Sequence, residues 1–165
     1  MILAFDTYYF GNKAKTVCLK FDDAEKYLQV YTEVLEDVAE YIPGEFYKRE
    51  LPCIMSLINK MDVTNISCII VDGFVFLDDN NKPGLGGYLY EALDRSIPVV
   101  GVAKTNFATI EKNKRLLFRG GSNNPLFITA VGIELDKAVN KIGSLKGNFR
   151  IPTLLKLLDR YTKQV

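Results

Sequence analysis

A chain of 165 residues, 48% hydrophobic, with 21 Lys+Arg against 20 Asp+Glu, has the material for one compact domain over 1–165 and no global basic field that would advertise nucleic acid. The absence of histidine excludes Ser-His-Asp, Cys-His and His-ligated zinc chemistry and leaves carboxylates, lysine, tyrosine or a metal to act. MILAFDTYYF lacks a basic leader and meets Asp6 too early for a signal peptide or a membrane span, and Cys18, Cys53 and Cys68, without CxxC spacing, read as reduced core thiols of a cytoplasmic protein.

Apolar, β-rich runs at Ile2 to Phe5, Thr16 to Phe21 and Tyr27 to Val34, divided by Gly11-Asn12 and Asp22-Asp23, predict a three-strand antiparallel meander. After Pro52, the residues Ile54, Leu57, Ile58 and Met61 recur at helical spacing, which predicts a helix with proline in its first turn. Cys68 to Val71 is a continuous apolar run ending in Asp72-Gly73, as a buried parallel strand would be. The polar DDNNKPG loop precedes a second helix with Leu85, Leu89, Ala92 and Leu93 inward, and Val99 to Ala103 forms another buried strand. Edge strands are expected at 115–119 and 126–132 around Gly120-Gly121-Ser122-Asn123. Helices are expected near 136–143 and 153–163, the last with Leu154, Leu155, Leu158 and Tyr161 on one side. The expected fold is α/β, a mixed sheet whose antiparallel meander leads into parallel βαβ strands flanked by helices.

Open α/β sheets present ligand-binding groups at the carboxyl ends of their strands, and Asp6, Asp72 and Lys104 each follow such a strand. With Glu50 at the threshold of the first helix, three carboxylates from separate elements suit Mg²⁺, or Mn²⁺, for activating water against a phosphodiester. Each residue also has a plain reading. Asp72 before Gly73 is a turn former, Glu50 near Pro52 favours a helix N-terminus, and Lys104 is a solvated lysine.

DTYY at 6–9, YIPGEFYKRE at 41–50, IIVDG at 69–73, VGVAK at 100–104 and RIP at 150–152 with Asp159-Arg160 beyond it resemble, in order and spacing, the endonuclease V family. The resemblance covers nearly the whole chain. It implies an RNase H-like fold and Mg²⁺-dependent hydrolysis of a phosphodiester near a deaminated purine, hypoxanthine in DNA or inosine in RNA. By position, Asp6, Glu50 and Asp72 resemble the family's metal carboxylates and Lys104 its lysine near the scissile phosphate. Tyr41, Ile42, Pro43 and Gly44 resemble its wedge beside the recognised base, and Gly44, Phe46 and Gly73 its base pocket. An aromatic wedge suits that task, because filling the vacated stack offsets the few kcal/mol spent on extracting a base. The plain reading of Tyr41 is a strand-end aromatic covering the core.

The chain departs from the family pattern where histidines are usual. Phe74 and Tyr88 stand at two such positions, Asp78 and Asp79 occupy the loop between them, and Glu40 replaces a proline before the wedge. After Val131-Gly132, where the family tends to carry a late histidine, the sequence continues Ile133-Glu134-Leu135-Asp136, which makes Glu134 and Asp136 candidates to reach the site. Lys112, Lys114, Arg115 and Arg119 are candidate nucleotide contacts, or else a solvated hairpin. Two functions remain in view: an active monomeric nuclease, and a divergent nucleic-acid-binding protein of the same fold with lost or altered catalysis.

Overall fold

The computed structural model describes residues 1–43 and 45–164. Seven strands form one mixed sheet: β1 (Ile2–Phe10), β2 (Lys13–Phe21), β3 (Gln29–Leu35), β4 (Cys68–Asp72), β5 (Val99–Ala103), β6 (Arg115–Leu117) and β7 (Leu126–Val131). Their order across the sheet is β3-β2-β1-β4-β5-β7-β6. The first three are the expected antiparallel meander, β1, β4 and β5 run parallel, and β7 returns antiparallel to β5. The β1–β2 hairpin closes over two residues, with Gly11 at φ +59 in the first central position, where primed hairpin turns favour glycine.

Four helices, α1 (Phe46–Ile58), α2 (Leu85–Ala92), α3 (Leu135–Gly143) and α4 (Thr153–Thr162), cover the two faces. Side chains alternate across β1, so Ile2 and Ala4 join one apolar cluster with Ile70, Val102 and Ile128 beneath α3 and α4. Leu3 and Phe5 join the other with Ile69, Val71 and Val99 beneath α1 and α2. Cys18, Cys53 and Cys68 are buried and unbonded, as expected. Among the described residues, no helix is long and apolar enough to cross a membrane.

Some sequence expectations need correction. Pro52 lies inside α1, which begins six residues earlier, so the helix forgoes one backbone hydrogen bond and Glu50 sits within it rather than at its threshold. Met61 lies past the end of α1, and Ala92 is exposed, because α2 turns only a narrow stripe around Leu85 and Leu89 inward. β7 is an interior strand between β5 and β6, and β6 alone forms that edge.

Candidate active site

The alternation that builds the core also aims the polar groups at its rim. Phe5 pairs with Val71 in the parallel β1–β4 register, so Asp6 and Asp72 lie one step further on, side by side on the face that carries Ala4 and Ile70. Asp72 pairs with Val102 in turn, which places Lys104, two residues beyond Val102 and just after β5, on that face as well. Asp6 is buried, Asp72 half-buried and Lys104 exposed. A small cavity of about 30 Å³ opens among Asp6, Asp72, Lys104, Pro152, Leu155 and Leu158, enough for a water-sized occupant.

Glu50 comes from the other layer. It is 3% exposed, on α1, and close enough to Asp6 and Asp72 for both to act on its charge. Burial first, then those two carboxylates, push its pKa well above the usual range, with Thr7 and Arg49 acting weakly in the opposite direction. Arg49 is turned elsewhere: its guanidinium carbon lies 3.6 Å from the centre of the Tyr9 ring. Burial raises Tyr9 too, with Glu50 next in effect, and its hydroxyl is buried without a hydrogen-bond partner among the described residues.

Burial, and then the charge of Asp72, raise Asp6 to about 7, while the Thr7 amide, which donates to its Oδ1 at 2.9 Å, pulls the other way. Asp72 is also raised by burial, which the Lys104 ammonium partly offsets. Among the described residues, none of the three carboxylates has an ion-pair partner within 4.0 Å. Buried, mutually repelling oxygens with no counter-ion fit a hard divalent cation. They are not a finished cage, since among the described residues no group of three His, Cys, Asp or Glu stands ready to hold a metal ion.

Asp159, quoted above only as part of a motif, belongs to this neighbourhood. It raises both Asp6 and Asp72 from α4, where it also accepts from the Lys163 ammonium at 3.0 Å. It stands one turn after Leu155, which lines the cavity, and so on the same side of α4, a placement that spacing alone does not reveal. Glu134 and Asp136 do not join the site. Glu134 stands at the N-cap position of α3 without a side-chain capping bond, and Asp136 pairs with Arg115 at 3.3 Å on the surface.

The loop that follows Asp72 is held by close approach. Gly73 has φ +129 and donates to the Val102 carbonyl at 3.1 Å, and the buried Thr129 hydroxyl accepts from the Val75 amide at 2.8 Å. Gly101 permits this packing, since a Cβ there would lie 2.5 Å from the Gly73 carbonyl oxygen. The Phe46 ring edges up to Gly73, whose Cβ position would meet it at 3.9 Å. Tyr41, Ile42 and Pro43 are exposed, Tyr41 by 55%, and the Glu45 amide donates to the Ile42 carbonyl. Gly44 lies outside the described residues.

At two positions where the resemblance leads histidine to be expected, this chain has aromatic contacts. Tyr88 of α2 stacks on Tyr47 of α1 with ring centres 3.8 Å apart, and Phe74 tilts against Phe107 at 5.9 Å. The acidic loop is structural. Asp79 accepts from the amides of Glu111, Lys112 and Asn113, which outweigh desolvation and leave its pKa lowered, and Asp78 accepts from those of Asn80 and Lys82. Arg119 is not a free nucleotide contact either, because its guanidinium donates to the carbonyls of Leu145, Gly147, Phe149 and Arg150.

Comparison with curated proteins gives no match. Among solved structures, Endonuclease V from Streptomyces avermitilis superposes with a TM-score of 0.78 at 19% identity, over 99% of this chain and 79% of that one. A Ciona intestinalis Endonuclease V gives 0.83 at 15%, over 99% and 84%, and that of Bacillus subtilis 0.72 at 21%, over 98% and 77%. At such identities the likeness speaks for the fold, which is RNase H-like. The model of the family described as Endonuclease V matches residues 1–160, and with that span the chain belongs to the endonuclease V family, whose members are nucleases hydrolysing phosphodiester bonds.

Proposed function

We propose that this chain, acting as one domain over 1–165, is a divalent-metal-dependent endonuclease that hydrolyses a phosphodiester bond near a deaminated base, hypoxanthine or inosine, in DNA or RNA. One observation carries the reading: Asp6 and Asp72 side by side just past the last β1–β4 pair, Asp6 within β1 and Asp72 at the end of β4, with Glu50 buried against them from the opposite layer. The Ciona intestinalis relative has been seen in complex with a 24mer DNA containing an inosine followed by a ribo-adenosine, which supports a nucleic-acid substrate of that kind.

In this reading, Asp6, Glu50 and Asp72 hold Mg²⁺, or Mn²⁺ in its place, and Asp159 adds negative charge from α4. The ion, when bound, supplies an acidified water and neutralises charge at the phosphate. Lys104, exposed beside the carboxylates, offers its ammonium to the scissile phosphate. Tyr41, Ile42, Pro43 and Gly44 act as the wedge beside the extracted base, and Gly44, Phe46 and Gly73 as walls of its pocket. Three buried free cysteines suit a reducing compartment, the cytoplasm, and in this reading the chain acts there as a monomer.

A binding protein with lost or altered catalysis is the second reading, favoured by the absence of a ready three-ligand set among the described residues and by the lack of histidine. Cleavage of matched inosine-containing DNA and RNA oligonucleotides, with Mg²⁺ and then Mn²⁺, separates the two. Metal-dependent cleavage next to the inosine is expected, rising with pH from mildly acidic to mildly alkaline and faster with Mn²⁺. No cleavage of any deaminated substrate with either metal would leave the binding protein.

A further inference from the structure

The RIP motif begins beside a phenylalanine that the folded core does not use. Phe149 is 70% exposed, yet its backbone carbonyl is bonded to a side chain 30 residues away. The Arg119 guanidinium donates to the Phe149 carbonyl at 3.1 Å and to the Leu145 carbonyl at 2.6 Å. Gly120, at φ +63, lies so close that a Cβ there would stand 2.6 Å from the Phe149 Cα. The next residue, Arg150, donates to the carbonyls of Lys104, at 2.5 Å, and Pro125, at 2.8 Å. Ile151 and Pro152 then line the cavity that contains Asp6, Asp72 and Lys104.

Two arginines thus immobilise a loop whose tip is bonded to the backbone of the site lysine, and the loop presents a bare phenyl ring to solvent. An exposed ring contributes little hydrophobic burial, so folding does not account for holding it there. Beside it, the Lys156 ammonium lies 5.7 Å from the ring centre. An aromatic face next to a cation, on a rigid backbone, matches the chemistry of an unpaired nucleotide: a base to stack and a phosphate to neutralise.

We propose that Phe149 and Lys156 form a subsite for an unpaired nucleotide of the strand that carries the phosphate held at Lys104. Phe149 stacks on the base, Lys156 meets its phosphate, and Arg119 and Arg150 position the platform relative to the cleavage site. The proposal rests on the nuclease reading for the strand's path past Lys104, and takes single-stranded nucleic acid as the ligand.

Binding of a short single-stranded deoxyinosine oligonucleotide, with Ca²⁺ in place of a catalytic ion, tests it apart from cleavage. Phe149→Ala and Phe149→Leu should each weaken binding about tenfold, within the range for losing one base–aromatic stack, whereas Phe149→Tyr should bind like wild type. Lys156→Gln should reduce the slope of log affinity against log salt by about one. The chain has no tryptophan, so Phe149→Trp provides a single reporter whose emission should be quenched when the oligonucleotide stacks on it. Thermal unfolding of these variants should match wild type, since the ring is exposed. The proposal is overturned if Phe149→Ala or Phe149→Leu binds as tightly as wild type, or if the Trp emission ignores a strand that binds. A wild-type protein that binds but never cleaves with Mg²⁺ or Mn²⁺ defeats the nuclease reading alone. One that does not bind the strand defeats the subsite, while the nuclease reading stands or falls on the cleavage assay.

Discussion

Asp6 and Asp72 stand next to each other one step beyond the Phe5–Val71 pair, where the β1–β4 parallel register delivers two carboxylates to one face of the sheet. That adjacency is unfavourable without a counter-ion, and it is why burial and Asp72 together raise Asp6 to about 7. Asp6→Asn and Asp72→Asn should each remove one repelling charge. Metal-free protein carrying either change should melt at or above the wild-type temperature at pH 8, while metal-dependent cleavage should fall by more than the roughly 10–100-fold that loss of an outer-shell partner causes. Wild-type cleavage by either variant would remove that residue from the site.

A pH dependence of metal-free stability follows with a definite sign. Asp6, Glu50 and Asp72 all hold their protons more tightly when folded than when unfolded. Their contribution is fully present below the ordinary carboxylate value of 3.8 for Asp, and is lost as pH rises towards the folded value of about 7 for Asp6. Melting temperature in chelator should therefore fall across that window, less steeply in Asp6→Asn. Adding Mg²⁺ or Mn²⁺ should raise it at pH 8 and have little effect at pH 5, where protonated carboxylates bind metal poorly. Equal stabilisation by metal at both pH values would point to binding elsewhere.

Thr129 and Gly101 together set the path of the loop after Asp72. Thr129→Val keeps the shape but leaves the Val75 amide unpaired in the interior, which should destabilise the fold by about 1–3 kcal/mol in denaturant unfolding. Gly101→Ala should be worse, because its methyl would meet the Gly73 carbonyl and the Thr129 hydroxyl at 2.5 and 2.6 Å. A neutral Gly101→Ala would show that the loop shifts freely, contrary to this packing.

Tyr41→Ala should reduce discrimination for the deaminated base more than general affinity. Losing one base–aromatic stack is worth about 1–3 kcal/mol, and 55% exposure means that folding loses little. Competition between inosine-containing and unmodified strands measures it, and equal losses on both would make Tyr41 a structural residue.

Arg119→Lys distinguishes a loop clamp from a nucleotide contact. Four carbonyls share one guanidinium fork, a geometry that lysine cannot reproduce, so stability should fall although charge is kept. The salt dependence of nucleic-acid binding should stay unchanged if the side chain meets no phosphate. A reduced slope at wild-type stability would restore the nucleotide-contact role.

The strand and helix order, and the places of Asp72 and Lys104 at the close of apolar runs, were legible in the sequence because both follow from local periodicity, whereas the face they share with Asp6 follows from the sheet register. Alternation along a strand is a property of successive residues, but a charge does not by itself end a strand: β1 continues through Asp6 to Phe10, although its pairing with β4 stops at Phe5. The start of α1 was not legible from Pro52, because a proline inside a helix and one in its first turn leave similar apolar stripes behind them. Ala92 was placed inward by the same periodicity, but how wide a stripe α2 buries depends on what packs against it.

What the tertiary structure alone decided concerns residues far apart in the chain. Glu50 reaches Asp6 from the opposite layer, Asp159 reaches the same carboxylates from α4, and Asp136 is drawn away to Arg115. Asp79, expected only as part of an altered loop, and Arg119, expected as a nucleotide contact or part of a solvated hairpin, anchor backbone amides and carbonyls more than 25 residues away. Spacing cannot reveal such partners, since they are brought together by the docking of helices and loops onto the sheet. A charged side chain's role is set by which backbone groups that docking leaves unpaired beside it.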